Sequence, residues 1–240
     1  MDEATVQHLL DLNRQFYQTF ALQFSATRQR LQAGVMRLLP TIPPDGQVLD
    51  LGCGNGELAR ELASLGFQGH YQGIDQSAEF LAEAQQKLAG KGNFSFVFAD
   101  LTSANWHSSL PAMSFEIIMA LAVLHHIPGS ALRRQLLTAV RTLLSPTGHF
   151  IHSEWQFLSS PRLQARLQPW EKVGLTGYQV DPGDYLIDWR GGSQGLRYVH
   201  FFTEEELATL AKENGFKVYK TFLSDGEGSK LGLYQIWKRV

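Results

Sequence analysis

Three glycines stand in the stretch D-L-G-C-G-N-G from Asp50 to Gly56, directly after the apolar run V-L-D-L at 48 to 51. A turn built on Gly52, Gly54 and Gly56 has no Cβ in the way, so a ligand can approach its backbone closely. In a doubly wound sheet, ligands lie where the first strand enters such a turn and a helix. Asp75, in G-I-D-Q-S, comes nineteen residues after Gly56, close to the interval at which an acid meets the ribose hydroxyls of an adenosine-type ligand. A dinucleotide site would read G-x-G-x-x-G. Here the third glycine arrives one residue early, and Asp100, in F-A-D-L, ends a further apolar run.

Other reactive side chains are few. His125 and His126 sit in A-L-A-V-L-H-H-I-P at 120 to 128, and a histidine pair can act as a base or fix a loop by hydrogen bonding. Arg197 and His200, in R-Y-V-H-F-F, are the substrate-side candidates. Cys53 is the only cysteine. It reads as a small filler of the glycine loop rather than a nucleophile. A single cysteine excludes an intrachain disulfide and a thiolate metal cluster, no metal site is expected, and a reducing cytoplasm suits the chain.

The elements that must hold these residues follow from apolar periodicity. Leu9, Leu12, Phe16, Phe20 and Phe24 recur at three or four residue steps, which predicts amphipathic helix between Ala4 and about Leu39, broken by the Pro40 to Gly46 stretch. Short apolar runs at 48–51, 71–74, 94–98, 115–121 and 150–153 then alternate with helical patterns, the mark of βαβ units and a parallel sheet. Ser77 and Ser130 are expected to cap helices, the second ending at the Ser-Pro-Thr-Gly turn at 145–148. Thr203 with Glu206 forms a capping-box pattern, and two strands remain at about 217–222 and 231–238. The segment 157–200 fits neither period and is rich in Pro, Gly and aromatics, so it is expected to be an insertion over the carboxyl edge of the sheet. The division this predicts is a helical cap over 1–45 and an α/β domain over 46–240.

With 240 residues, 44% of them hydrophobic, the chain can bury a core of that size. A formal net charge of -2 gives no overall footprint for nucleic acid. The start, with Asp2 and Glu3, lacks the basic region of a signal peptide, and the longest apolar run, Ile117 to Leu124, is too short to span a bilayer, so no membrane association is expected.

The G-x-G-x-G loop preceded by Asp50 resembles that of class I S-adenosylmethionine-dependent methyltransferases. The resemblance implies a Rossmann-like α/β fold with a mostly parallel seven-stranded sheet, helices on both faces, N-terminal helices and an inserted lid, and it implies S-adenosylmethionine as the cofactor. In that family the loop, Cys53 included, lies along the methionine part, with Asp50 near its amino group. By the same carry-over Asp75 would bind both ribose hydroxyls and Asp100 the adenine amino group, with Gln76 and Phe98 to Leu101 walling the base. The L-H-H segment resembles that of many small members, which would put His125 and His126 near the reacting methyl and Ala120, at its start, against the cofactor. Tyr17 and Arg28, on the N-terminal helices, are candidates to close over the cofactor carboxylate.

Two patches narrow the resemblance. F-S-A-T-R at 24–28 and the late G-D-Y-L-I-D-W with R-Y-V-H-F-F, between Gly183 and Phe202, are similar to the methyltransferases that esterify carboxymethyluridine at the tRNA wobble position. Asp184, Leu186, Trp189, Tyr198, Phe202, Glu206 and Leu207 occupy positions of that pattern. The chain differs from it at Gln29 to Gln32 and at Val199. Trp155, Trp170, Tyr178, Tyr185, Trp189 and Tyr198 beside Arg162, Arg166, Arg190 and Arg197 would suit a base-stacking platform or an aromatic lid packed on the sheet. Three functions remain open on sequence: methyl transfer to a modified wobble uridine of tRNA at a carboxylate oxygen, methyl transfer to a small molecule of quinone or natural-product type, and a non-catalytic cofactor-binding subunit of a partner protein.

Overall fold

The computed structural model describes residues 1–26, 29–190 and 195–240, with the side chains of 22, 24 and 26 outside that description. Its strands are β1 (Gln47–Leu51), β2 (His70–Asp75), β3 (Phe94–Phe98), β4 (Phe115–Leu121), β5 (Leu144–Trp155), β6 (Leu167–Gln168), β7 (Asp184–Trp189), β8 (Gly195–His200), β9 (Phe216–Ser224) and β10 (Gly232–Arg239). The helices are α1 (Glu3–Ala26), α2 (Ala33–Met36), α3 (Glu57–Ser64), α4 (Ala78–Lys87), α5 (Ser130–Leu143), α6 (Pro161–Gln164) and α7 (Glu204–Glu213). Seven strands form one sheet in the order β3-β2-β1-β4-β5-β10-β9. The first five run parallel and β10 is antiparallel to both of its neighbours.

Both faces of this sheet are covered, which is why its strands read as nearly continuous apolar runs. Leu49, Leu51, Ile118 and Ala120 point to one side, where Leu136 and Val140 of α5 and Leu207 and Leu210 of α7 pack. Val48, Ile117, Met119 and Ile151 alternate to the other side, against Leu58, Ala59 and Leu62 of α3. The helix ends follow local chemistry. Ser77 Oγ accepts the Phe80 N–H and caps α4, and Thr203 caps α7 through the Glu206 N–H. Ser130 does not cap α5; the helix begins on it, with Gly129 at the capping position and no side-chain cap.

Further expectations change. The Ser-Pro-Thr-Gly segment does not end before the fifth strand but lies inside β5, as an irregularity: Phe115 pairs with Leu144, yet Ile117 pairs with His149. The N-terminal helical stretch divides, with α1 ending at Ala26 and α2 following. The segment after β5 has its own three-stranded antiparallel sheet, β6-β7-β8, with a small core of Phe157, Leu163, Ile187 and Val199. Its strands are short and partly covered, so their alternation is hidden among turn residues. Helix α1 lies against β8, burying Leu9, Phe16 and Phe20. No described helix is long and apolar enough to cross a membrane.

Candidate active site

The glycine loop connects β1 to α3, and its shape needs glycine. Gly52 has φ +70°, and a Cβ there would lie 2.7 Å from Val123; Gly56 has φ +77°, and a Cβ there would meet Ala84 at 2.7 Å. Gly54, also at positive φ, would meet nothing within 4 Å. Its N–H donates to Asp75 Oδ2 at 2.9 Å, while the Ser77 N–H donates to Asp75 Oδ1 at 2.9 Å. Asp75 therefore pins the loop of β1 to the start of α4. Burial raises the pKa of Asp75, and those backbone donors pull it back.

Asp50 is buried, accepting the Tyr71 O–H at 2.5 Å. Burial pushes its pKa up to about 7 against the lowering effect of Tyr71. Asp100 accepts from the Thr102 N–H at 2.9 Å and the Thr102 hydroxyl at 2.6 Å, and Arg14 of α1 reaches its other oxygen at 3.4 Å. All three acids line one cavity of about 480 Å³. Gly52, Cys53, Gly54, Gln76 and Leu101 line it as well. Three carboxylates, a glycine backbone and a volume in the range of small-molecule pockets fit an adenosine-type cofactor bearing an amino group. Burial drives the Cys53 thiol well above its ordinary pKa, so it stays protonated and fills space.

The far end of the same cavity is formed by Tyr17 of α1, His125 and His126 after β4, Trp155 at the end of β5 and Arg197 of β8. The His126 Nδ1 faces the Tyr198 carbonyl oxygen at 3.3 Å and its Nε2 lies 2.8 Å from the Tyr17 hydroxyl. Arg197 donates to that hydroxyl at 3.4 Å, with its guanidinium 5.0 Å from the Trp155 ring centre and 5.2 Å from that of Phe16. The His125 Nδ1 and Glu154 Oε2 lie 2.9 Å apart, and the other oxygen of Glu154 lies 2.9 Å from His152 Nδ1. Burial pushes Glu154 well above the usual carboxylate range, with Arg133 opposing, and brings His152 down to about 3, so His152 is neutral.

Other candidates lie elsewhere. His200 does not line the cavity: β-strand alternation turns it, with Tyr198, away from Arg197 and into a buried network. There Asp184 Oδ1 lies 2.6 Å from His200 Nδ1 and accepts the Tyr198 O–H at 2.8 Å, Arg133 donates to the Tyr198 hydroxyl at 2.9 Å, and Glu206 Oε1 lies 2.9 Å from His200 Nε2. Ala120 is fully buried in the sheet core, and its successors Leu121 and Ala122 line the cavity instead. Gly56 serves the packing of α3 on α4 rather than the cavity wall. Phe98, 63% exposed, is not part of the wall. Arg28 lies outside the described residues. Tyr71, Arg14, Asn13 and Glu154 belong to this site without standing out in the sequence; of these only Glu154, at the carboxyl end of a strand, carried a usable signal.

A sheet of this order with an acid-ended glycine loop at the carboxyl end of β1 defines a class I S-adenosylmethionine-dependent methyltransferase. The methyltransferase-domain family model matches residues 24–221, and the chain belongs to that family. It is 27% identical over 204 residues to a protein of Encephalitozoon cuniculi named as a methyltransferase, covering 85% of this chain and 86% of that one. It is 28% identical over 173 residues to the ubiquinone biosynthesis O-methyltransferase of Thiobacillus denitrificans, covering 71% of this chain and 64% of that one. Among solved structures, an S-adenosylmethionine-dependent methyltransferase of Methanosarcina mazei superposes with a TM-score of 0.66 at 21% identity, covering 88% of this chain and 99% of that one.

Proposed function

We infer that the chain transfers the methyl group of S-adenosylmethionine to a small organic acceptor held beneath α1. The observation that carries this is the continuity of one cavity from Asp50, Asp75 and Asp100 to Tyr17, His126 and Arg197, with Leu10, Asn13, Arg14 and Gln18 of α1 along its wall. When bound, the cofactor supplies a methyl group already activated by a sulfonium centre, so the protein mainly positions the partners and excludes water. Asp50 would meet the cofactor amino group, Asp75 the ribose hydroxyls and Asp100 the adenine. Arg197, stacked between Trp155 and Phe16, would draw an acceptor with a polar or anionic group towards the far end.

The wobble-uridine reading is the same chemistry on a far larger partner, and several features favour the smaller one. Tyr198 is wholly buried and committed to Asp184 and Arg133, Trp155 lies against Arg197, and Arg190 pairs with Asp188 at 2.9 Å. Of the aromatics counted for base stacking, Tyr198 is buried, Trp155, Trp170, Tyr185 and Trp189 are half-buried, and Tyr178 is exposed. The aromatic insertion thus reads as a packed lid. The relative named for ubiquinone biosynthesis fits this choice, and the acid set with His125 and His126 at the cavity speaks against a subunit without chemistry of its own.

The test is transfer of labelled methyl from S-adenosylmethionine into a cell extract separated into small molecules and tRNA. Label in the small-molecule fraction supports the reading. Label confined to tRNA overturns it in favour of the wobble-uridine acceptor, and label in neither favours the partner-subunit reading.

A further inference from the structure

We propose that Tyr17 and His126 form a proton relay serving an acceptor that reacts through a hydroxyl group. The proposal rests on the small-acceptor reading above and adds the chemical class of the nucleophile. Its basis is a chain of hydrogen bonds from the Tyr198 carbonyl through His126 to the Tyr17 hydroxyl. The Tyr198 carbonyl oxygen can only accept, so His126 Nδ1, 3.3 Å from it, carries the ring proton. In the neutral ring, Nε2 is then a bare lone pair, and the Tyr17 hydroxyl 2.8 Å away must donate to it. Having given its proton in that direction, the Tyr17 oxygen accepts from Arg197, whose Nη1 donates at 3.4 Å, and Tyr17 lines the cavity.

The surroundings hold this arrangement in place. Tyr17 packs edge-on against the His126 ring, with centres 5.2 Å from Phe16 and 5.5 Å from His126. Arg197 keeps its cation beside the phenol oxygen, where negative charge would grow as a proton is passed along. His126 is thus the terminal acceptor and Tyr17 the group that touches the acceptor molecule.

The acceptor oxygen forms a bond to the transferred methyl carbon while the carbon–sulfur bond breaks, its electron pair remaining on sulfur as a neutral thioether. The acceptor proton passes to the Tyr17 oxygen as the Tyr17 proton passes to His126 Nε2, leaving an imidazolium that later releases one proton to water. A carboxylate acceptor has no proton to lose at neutral pH and would leave the relay idle. This gives Tyr17 a place on the acceptor side, apart from the cofactor carboxylate.

Nitrogen-15 NMR of the histidine side chains, assigned with His126→Gln, tests the relay with S-adenosylhomocysteine bound. The Nδ1–H tautomer of His126 is expected, with the Nε2 signal moving in Tyr17→Phe; an Nε2–H tautomer, or a signal indifferent to that substitution, overturns the relay. Calorimetry with S-adenosylhomocysteine is expected to give Tyr17→Phe an affinity within about twofold of the parent, whereas a loss of about tenfold or more makes Tyr17 a cofactor ligand and overturns the proposal. Methyl transfer to catechol, protonated at pH 7, should fall about 100-fold in Tyr17→Phe, and transfer to ionised benzoate should not. Equal losses on both probes overturn the relay. No transfer by the parent protein to either probe counts against the small-acceptor reading alone, because the tautomer by then has decided the relay.

Discussion

Asn13 of α1 supplies the missing strand partner of Tyr198. Its side-chain oxygen accepts the Tyr198 N–H at 2.8 Å, and its amide group donates to the Tyr198 carbonyl at 3.2 Å and to the His126 carbonyl at 3.2 Å. Strand β8 is the edge of the small sheet, so without Asn13 these buried backbone groups would lose a partner. One amide therefore ties the cavity roof, the insertion and the histidine segment together.

Replacing it should be felt in stability. Asn13→Leu keeps the branched shape but orphans the Tyr198 N–H, and should cost about 2 kcal/mol in urea unfolding. A variant as stable as the parent would mean that this contact does not hold α1 down.

Arg197 and His200 should separate cleanly, since they alternate on β8 and face different surroundings. His200→Ala leaves buried Asp184 with one hydrogen-bond partner fewer and should lower stability by about 3 kcal/mol. Methyl transfer by the folded fraction should keep its rate. Arg197→Met should do the reverse, with the unfolding midpoint nearly kept and transfer reduced about 100-fold. Urea titration and a transfer assay on the same two preparations check both, and matching behaviour of the two variants would refute the split.

Asp50 sets a pH signature. Its unfolded carboxyl ionises near 3.8 and its folded one at about 7, so between these values the native state holds the extra proton and the free protein loses stability as pH rises from about 4 to 7. A cofactor ammonium beside Asp50 favours the ionised form, so binding must release that proton below pH 7. Calorimetric titration of S-adenosylmethionine in two buffers of different ionisation enthalpy should give about one proton released at pH 6, falling towards zero at pH 8. Asp50→Asn should abolish the release. Proton-neutral binding at pH 6 in the parent protein would disprove the Asp50 assignment.

What was legible in the sequence was local. The glycine loop, Asp75 and Asp100 could be read because close backbone approach and strand ends leave their mark within a few residues of one another. The seven main strands were legible for the same reason, through apolar runs between helical patterns. Tyr71 was not, because it meets Asp50 only through the register of β1 on β2, and nothing in the spacing of the two residues declares it. The R-Y-V-H stretch was legible as unusual but not as to which residue faces the cavity. Alternation separates Arg197 from Tyr198 and His200, and only the placement of β8 beside α1 and Arg133 decides which face is which. Asn13 and Arg14 looked like the polar side of an amphipathic helix, and their partners lie far along the chain, at Tyr198 and Asp100.

The cofactor assignment places S-adenosylmethionine along the glycine loop with Asp75 at its ribose. Calorimetric titration of S-adenosylmethionine into the parent protein and Asp75→Ala tests it directly, with thermal unfolding as the check on folding. The variant is expected to stay folded with affinity reduced about 100-fold or more, because a buried acid that fixes both loop and ligand is removed. Unchanged affinity in a folded Asp75→Ala protein would contradict it.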